Sequence, residues 1–256
     1  MTSADLPYRL DRTLTIRAPR TTVFAFFTDS ARWAAWWGAG STIDPRPGGR
    51  VYIRHPNGIE AGGEVLEIDA PARLVFSYGF ASGTPMPMGA SLVTLTCEPH
   101  ARGTRVRLVH EFGDEAARDE HVQGWRYQLS LFANVVADDL HRDVATRIDA
   151  WHAAWAEPDT AVRERMLASV ATPDVRFRDR FSAIEGLSEL LPHIAATQRF
   201  MPGLALARDG EIRHCQGMVL ADWIATSADG QPRGRGSNVF ILDADGLIES
   251  VTGLWR

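Results

Sequence analysis

The sequence predicts an α+β protein built from two modules in tandem, and three observations carry that prediction. Residues 114–140 place apolar side chains at spacings of three and four, the pattern of one long amphipathic helix. Everything before this stretch reads as short strands, turns and two small helices, whereas everything after it starts again with helices and then turns to strands. A chain of 256 residues also has the length of about two domains. The seam is therefore expected at the end of the long helix, giving modules 1–140 and 141–256.

In the first module, Leu10, Arg12, Leu14 and Ile16 alternate with Asp11, Thr13, Thr15 and Arg17, which predicts a strand. Ala18-Pro19 ends it. Pro19 suits a helix start, and Val23, Phe24, Phe26 and Phe27 then supply the apolar side of a short helix. Asp29-Ser30 opens another short element carrying Trp33, Trp36 and Trp37. From Ile43 to Glu111 the chain is cut by turn signals such as Pro47-Gly48-Gly49, Asn57-Gly58, Ala70-Pro71 and Arg102-Gly103. The strands expected between them run over 51–55, 62–68, 73–80, 90–98 and 104–111, an antiparallel meander. The long helix follows, with Val122, Trp125, Leu129, Phe132, Val136 and Leu140 on one stripe and Tyr127, Leu131 and Val135 on the next. At about 1.5 Å per residue it spans roughly 36 Å, enough to cross a whole sheet.

That order of elements, together with Ile16-Arg17-Ala18-Pro19, Trp36-Trp37-Gly38, Gly63-Glu64-Val65-Leu66-Glu67-Ile68, Arg73-Leu74-Val75-Phe76 and His121-Val122-Gln123-Gly124-Trp125, resembles the START-type, or SRPBCC, helix-grip superfamily. Within it the likeness is to the branch related to activators of the heat-shock-protein ATPase, and it extends over about residues 8–140. The resemblance implies a curved antiparallel sheet gripping the long helix, with a cavity between them for an apolar or amphipathic small molecule. Eukaryotic co-chaperones of this branch carry a further N-terminal domain, and only a few residues precede the first strand here, so co-chaperone activity is not expected.

The second module opens with a helix over 143–156 that brings Val144, Ile148, Trp151, Ala154 and Trp155 to one side. Pro158-Asp159 breaks it. A second helix over 161–170 turns Val162, Met166, Leu167 and Val170 inward, a short strand follows over 175–178, and a third helix over 186–199 contains Pro192, where a kink is expected. Strands are predicted over 204–208, 212–226, 236–243 and 247–255, the last two joined by the Asp243-Ala244-Asp245-Gly246 hairpin signal. Three helices before a sheet, with Asp174-Val175-Arg176-Phe177-Arg178-Asp179, Glu185-Gly186-Leu187, Met201-Pro202-Gly203 and Ala221-Asp222-Trp223, resemble the nuclear-transport-factor-two-like, SnoaL-like fold. That resemblance implies three helices packed on a curved antiparallel sheet around a conical pocket. Relatives use such a pocket for isomerase, cyclase, dehydratase or epoxide-opening chemistry, or for binding alone, and often pair through their sheets, so a homodimer through this module is an expectation.

Composition narrows the chemistry. All 27 basic residues are Arg, so Schiff-base chemistry and a phosphate-loop lysine are excluded. Net charge is −5 and neither half is basic, which argues against nucleic acid as a partner. Cys97 and Cys215 lie in apolar strand-like runs and are expected as buried reduced thiols. The N-terminus has no cationic-then-apolar signal pattern and no apolar run approaches a membrane span, so a soluble cytoplasmic protein is expected. Metal and cofactor motifs are missing. His110-Glu111 lacks the second His of a zinc-protease helix, and Gly234-Arg235-Gly236 precedes a strand with no helix after it, unlike a dinucleotide loop.

For the first cavity the expected ligand-binding residues are Trp36, Trp37, Phe76, Tyr78, Met88, Phe112 and Trp125, with Met86 beside them, because large polarizable groups suit an apolar ligand. Each also reads as ordinary core. Arg54, His55 and Glu64 either orient a ligand's polar end or face solvent, and solvent is the rule for charges. In the second module a proton-transfer enzyme needs a carboxylate or imidazole in an apolar cone. Asp222 is the first candidate, since alternation puts it with Met218, Leu220 and Ile224; the opposite face, with Val219, Ala221, Trp223 and Ala225, is equally apolar, and a bulge near Gly217 swaps the two. Asp179 and His193 are further catalytic candidates, and Trp223, Arg199 and Arg235 are candidate ligand contacts, with a salt bridge or cap as the plain alternative for the polar ones. Tyr is absent from this module, which removes a phenolic oxyanion donor. The leading expectation is binding of hydrophobic or polyketide-like small molecules in one pocket per module. The rivals are a cofactor-independent isomerase, cyclase or hydratase using an Asp base in the second pocket, and a chaperone-associated interaction module.

Overall fold

The structure, a computed structural model, describes residues 6–256; the first five residues of the first predicted module lie outside it. The chain divides into two compact units, one ending at Ala137 and one running from Asp138 to Arg256.

The first unit is a helix-grip domain. Strand β1 (Tyr8–Ile16) leads into α1 (Arg20–Ala25) and α2 (Ser30–Trp37), then β2 (Thr42–Ile43), β3 (Arg50–Arg54), β4 (Glu60–Asp69), β5 (Arg73–Tyr78), β6 (Ser91–His100), β7 (Gly103–Phe112) and α3 (Glu115–Leu140). The strands form one antiparallel sheet in the order β1-β7-β6-β5-β4-β3-β2. Strand β4 pairs with β3 over its first half and with β5 over its second. At the changeover, Gly62 and Gly63 lie so close to the carbonyls of Val51 and Ser77 that no side chain fits at either position. Asp29 caps α2 by accepting from the Arg32 amide at 2.8 Å, and Asp114 caps α3 by accepting from the Ala117 amide at 2.9 Å. Helix α3 buries Trp125, Leu129, Phe132 and Val136, the stripe its periodicity predicts. Phe132 stacks on Phe27 at 5.0 Å and meets Trp36 at 4.9 Å, so α2 and the turn that follows α1 pack against the long helix.

The second unit runs α4 (Val144–Ala154), α5 (Thr160–Val170), β8 (Ala171–Arg178), β9 (Ala183–Glu185), α6 (Leu187–Phe200), β10 (Ala205–Arg208), β11 (Arg213–Cys215), β12 (Met218–Thr226), β13 (Pro232–Leu242) and β14 (Ile248–Trp255). Its sheet has the order β10-β12-β13-β14-β8-β9, with β11 also on β12, and only the β14–β8 pair is parallel. The predicted 212–226 strand is two strands, because Gln216 and Gly217 both take positive φ and turn the chain. Helix α6 continues through Pro192 to Phe200. On α5 the inward position expected for Val162 is taken by Arg163, whose buried guanidinium donates to the Glu157 carbonyl at 2.7 Å and to Gln198 Oε1 at 2.7 Å. Trp151, Leu167, Leu190 and Ile194 from the helices pack on Val175, Val219, Phe240 and Val251 of the sheet. Cys97 is buried, but Cys215 is exposed: β11 is a three-residue edge strand and gives it no cover.

Candidate functional site

Each unit contains a cavity of ligand size. The first, of about 570 Å³, is walled on one side by α3 through His121, Gly124, Trp125, Gln128 and Leu131. Those spacings put them on one flank of the helix, beside the stripe that faces the core. Trp36, Trp37, His55, Ile59, Tyr78 and Phe80 supply the rest of the apolar surface. Of the sequence candidates, Trp36, Trp37, Tyr78 and Trp125 are thus brought together at this cavity. Three other candidates are not. Phe76 is buried behind the wall against Trp33, at 5.9 Å between rings, and Phe112 is buried against His110 at 3.8 Å. Met88 follows the β5–β6 loop outward and is 46% exposed. His55, by contrast, turns inward against Trp37 at 5.8 Å, while Arg54 and Glu64 face solvent.

Beneath this cavity lies a polar chain that the sequence reading missed. The Trp125 indole donates to His110 Nδ1 at 2.9 Å, His110 Nε2 meets Ser91 Oγ at 2.8 Å, and Ser91 donates to the Tyr78 carbonyl at 2.8 Å. An indole only donates, so Nδ1 must accept and Nε2 must carry the proton. Complete burial holds His110 well below its ordinary pKa and therefore neutral. It is a satisfied core histidine that fixes the height of Trp125 and Tyr78 in the wall. Burial also lowers the pKa of His55 and of His121 and raises that of the Tyr78 phenol, so these three groups are uncharged near neutral pH; Glu120 also lines the cavity.

The second cavity, of about 430 Å³, lies between the helices and the inner face of the second sheet. Trp151, Trp155, Phe177, Trp223 and Trp255 make it aromatic, Leu206 adds an aliphatic contact, and His152, Asp179, Ser182, His193, Thr197, Arg233 and Asn238 are its polar members. Trp223, Asp179 and His193 of the sequence candidates line this cavity. His193 Nε2 lies 3.4 Å from Ser182 Oγ, and the Asp179 carboxylate accepts from the Trp255 indole at 3.1 Å and the Phe181 amide at 2.8 Å.

Asp222 does not belong to this wall. The buried face of β12 is Val219, Ala221, Trp223 and Ala225, so Asp222 projects from the other side, where it accepts from Ser237 and pairs with Arg256 at 2.9 Å. The Ser237 hydroxyl and the Arg256 guanidinium hold its carboxyl below the ordinary value, the reverse of what a general base near neutrality needs. Arg235 is exposed on the outer side of β13, opposite Ile224, and Arg199 is exposed near the end of α6; neither lines the cavity. The face of β12 was nonetheless marked in the sequence. Trp223 pairs with Gly236, and a side chain at Gly236 would meet Trp223 Cζ2 at 2.6 Å, while one at Gly234 would meet Trp255 Cζ3 at 3.1 Å. Gly234-Arg235-Gly236 is the floor on which two indoles lie.

His152 and Asn238 are the most deeply buried polar residues lining this cavity that sequence reasoning missed. His152 is 1% exposed and Asn238 7%, and the His152 ring is pushed down to a pKa of about 4 by burial. Among the described residues no group of three His, Cys, Asp or Glu is arranged to hold a metal ion, and no helix is long and apolar enough to cross a membrane.

Residues 17–137 match the model of the family described as activator of Hsp90 ATPase homolog 1-like protein, a little under half of the chain. No curated protein matches. Among solved structures the chain is similar to a SnoaL-like family protein from Agrobacterium tumefaciens, with 24% identity over 43% of this chain and 95% of that one and a TM-score of 0.42. It is also similar to protein Ms6760 from Mycobacterium smegmatis (26% identity, 50% of this chain and 87% of that one, TM-score 0.43). A third similar structure is CalU16 from Micromonospora echinospora (25% identity, 52% and 78%, TM-score 0.41).

Proposed function

We propose that this protein binds hydrophobic, aromatic small molecules, one in the cavity of each unit. The observation that carries the reading is the pair of aromatic-walled cavities of about 570 and 430 Å³, within the range that encloses drug-sized ligands. Burial lowers the pKa of the wall imidazoles His55, His121 and His152, which keeps them neutral and suits an uncharged occupant. The match of residues 17–137 to a helix-grip family agrees with a cavity under the long helix. Thermal-shift screening of the whole chain against polycyclic aromatics, polyketide-like phenols and fatty acids tests it. Stabilisation by the aromatic classes is expected, and a flat response to all of them refutes it.

A cofactor-independent isomerase, cyclase or hydratase is the second reading, favoured by Asp179 and His193 sharing the second wall. Turnover of a bound aromatic lost in both Asp179→Asn and His193→Gln would establish it over simple binding.

A further inference from the structure

The polar end of the second cavity names a ligand class, and this inference rests on the binding reading above. We propose that this cavity takes an uncharged aromatic alcohol, with its hydroxyl seated between His152 and Asn238.

These two are the most deeply buried polar side chains of a wall otherwise built from Trp151, Trp155, Phe177 and Trp223. They are poorly engaged with each other. His152 Nε2 and Asn238 Nδ2 stand 3.5 Å apart, at the outer limit of a hydrogen bond, and His152 Nδ1 is buried with no partner. Buried polar groups left so loosely held cost stability, and a ligand atom that engages both recovers it. A hydroxyl is the oxygen group that does so whichever way the Asn238 amide is turned. With Nδ2 toward the ring, the hydroxyl accepts from Asn238 and donates to the imidazole; with Oδ1 toward it, the two roles exchange. A ketone or ether oxygen only accepts, so it satisfies both groups in one arrangement alone, with Nδ2 toward it and the imidazole proton on the nitrogen that faces it. A carboxylate must give up its hydration at this depth, and Asp179 on the same wall repels it. Arg233, the cation of the wall, is exposed and donates to Ser227 Oγ at 3.0 Å. A histidine held neutral this far below its ordinary pKa accepts a hydrogen bond from a phenol without removing its proton, which fits retention of the ligand rather than its conversion.

Four probes of one ring system test the proposal on the whole chain: 2-naphthol, 2-methoxynaphthalene, naphthalene and 2-naphthoate. Affinities are read from the indole N–H resonances of Trp151 and Trp155, which report this cavity alone. The expected result is 2-naphthol binding about tenfold tighter than 2-methoxynaphthalene, with 2-naphthoate weakest. His152→Phe and, separately, Asn238→Leu should erase the preference while naphthalene still binds, which also certifies that each variant folds. If naphthol, ether and hydrocarbon bind alike, or naphthoate binds best, the hydroxyl seat is overturned and the cavity remains a binding site. If none of the four moves these resonances, the binding reading of this cavity falls and the seat with it.

Discussion

Gly124 sits in the middle of α3, where glycine costs stability, and a side chain placed on it would find no atom within 4 Å. It also lines the first cavity, between His121 and Gln128 on the same flank. Gly124→Leu therefore has two effects of opposite sign. Leucine is a better helix former than glycine by about 0.7 kcal/mol, and open space lets it stand without strain, so the ligand-free unit gains roughly that much. The same side chain enters the cavity mouth, and overfilling a packed site costs about 1 to 3 kcal/mol, weakening ligand by about 5- to 150-fold. Native-state hydrogen exchange of the α3 amides reads the first effect within its own unit, and titration with naphthalene reads the second. Slower exchange with weaker binding is the expected pair. Faster exchange, or unchanged affinity, refutes the placement of Gly124 at the rim of a ligand site.

Four further outcomes follow from the geometry. Gly236→Ala should cost about 1 to 3 kcal/mol or more in urea unfolding and shift the fluorescence of Trp223, because its methyl group would meet the Leu254 carbonyl oxygen at 2.3 Å and the Trp223 indole at 2.6 Å. Trp125→Phe should cost about 1 to 3 kcal/mol, since His110 Nδ1 then keeps a buried lone pair without a donor; restoration by a second change, His110→Leu, is the check. Asp222→Asn should leave binding in the second cavity unchanged by the thermal-shift assay, as its carboxylate faces Ser237 and Arg256. The pH dependence has a definite sign. His152 and His141 are pushed by burial from 6.5 to about 4, so the unfolded chain takes up protons first as pH falls. Stability contributed by keeping them neutral is complete above pH 6.5 and is lost between about 6.5 and 4, on the order of 2 to 3 kcal/mol for His152. Urea unfolding of wild type and His152→Phe across that range should show the acid loss reduced in the variant.

The elements were legible where one periodicity ruled. The stripe Trp125, Leu129, Phe132 and Val136 is buried as its spacing requires, and the Asp243–Gly246 hairpin forms with Asp243 Oδ1 accepting from the amides of Asp245 and Leu247. The inner face of β12 was not legible from β12 itself, because Leu220 and Ile224 are as apolar as Val219 and Ala225; the neighbouring Gly234 and Gly236 hold that information. The polar residues of the two sites were hidden for a related reason. His110 is in phase with Val106, Leu108 and Phe112, Asn238 with Gly236, Phe240 and Leu242, and His152 with Ile148 and Trp155. A polar residue in phase with a buried stripe is the signal that finds such positions. Motif spacing carried none of it, since the partners Trp125, Ser91 and Asn238 come from distant parts of the chain. Phe76 and Phe112 were correctly read as apolar and inward, but inward positions divide between cavity wall and solid core by depth, which alternation does not encode.

Two independent sites are the central claim. Isothermal titration of the whole chain with naphthalene should fit two molecules per chain, with Gly124→Leu weakening one of the two sites by about 5- to 150-fold and leaving the other untouched. Absence of saturable binding, or a titration that Gly124→Leu does not change, contradicts it.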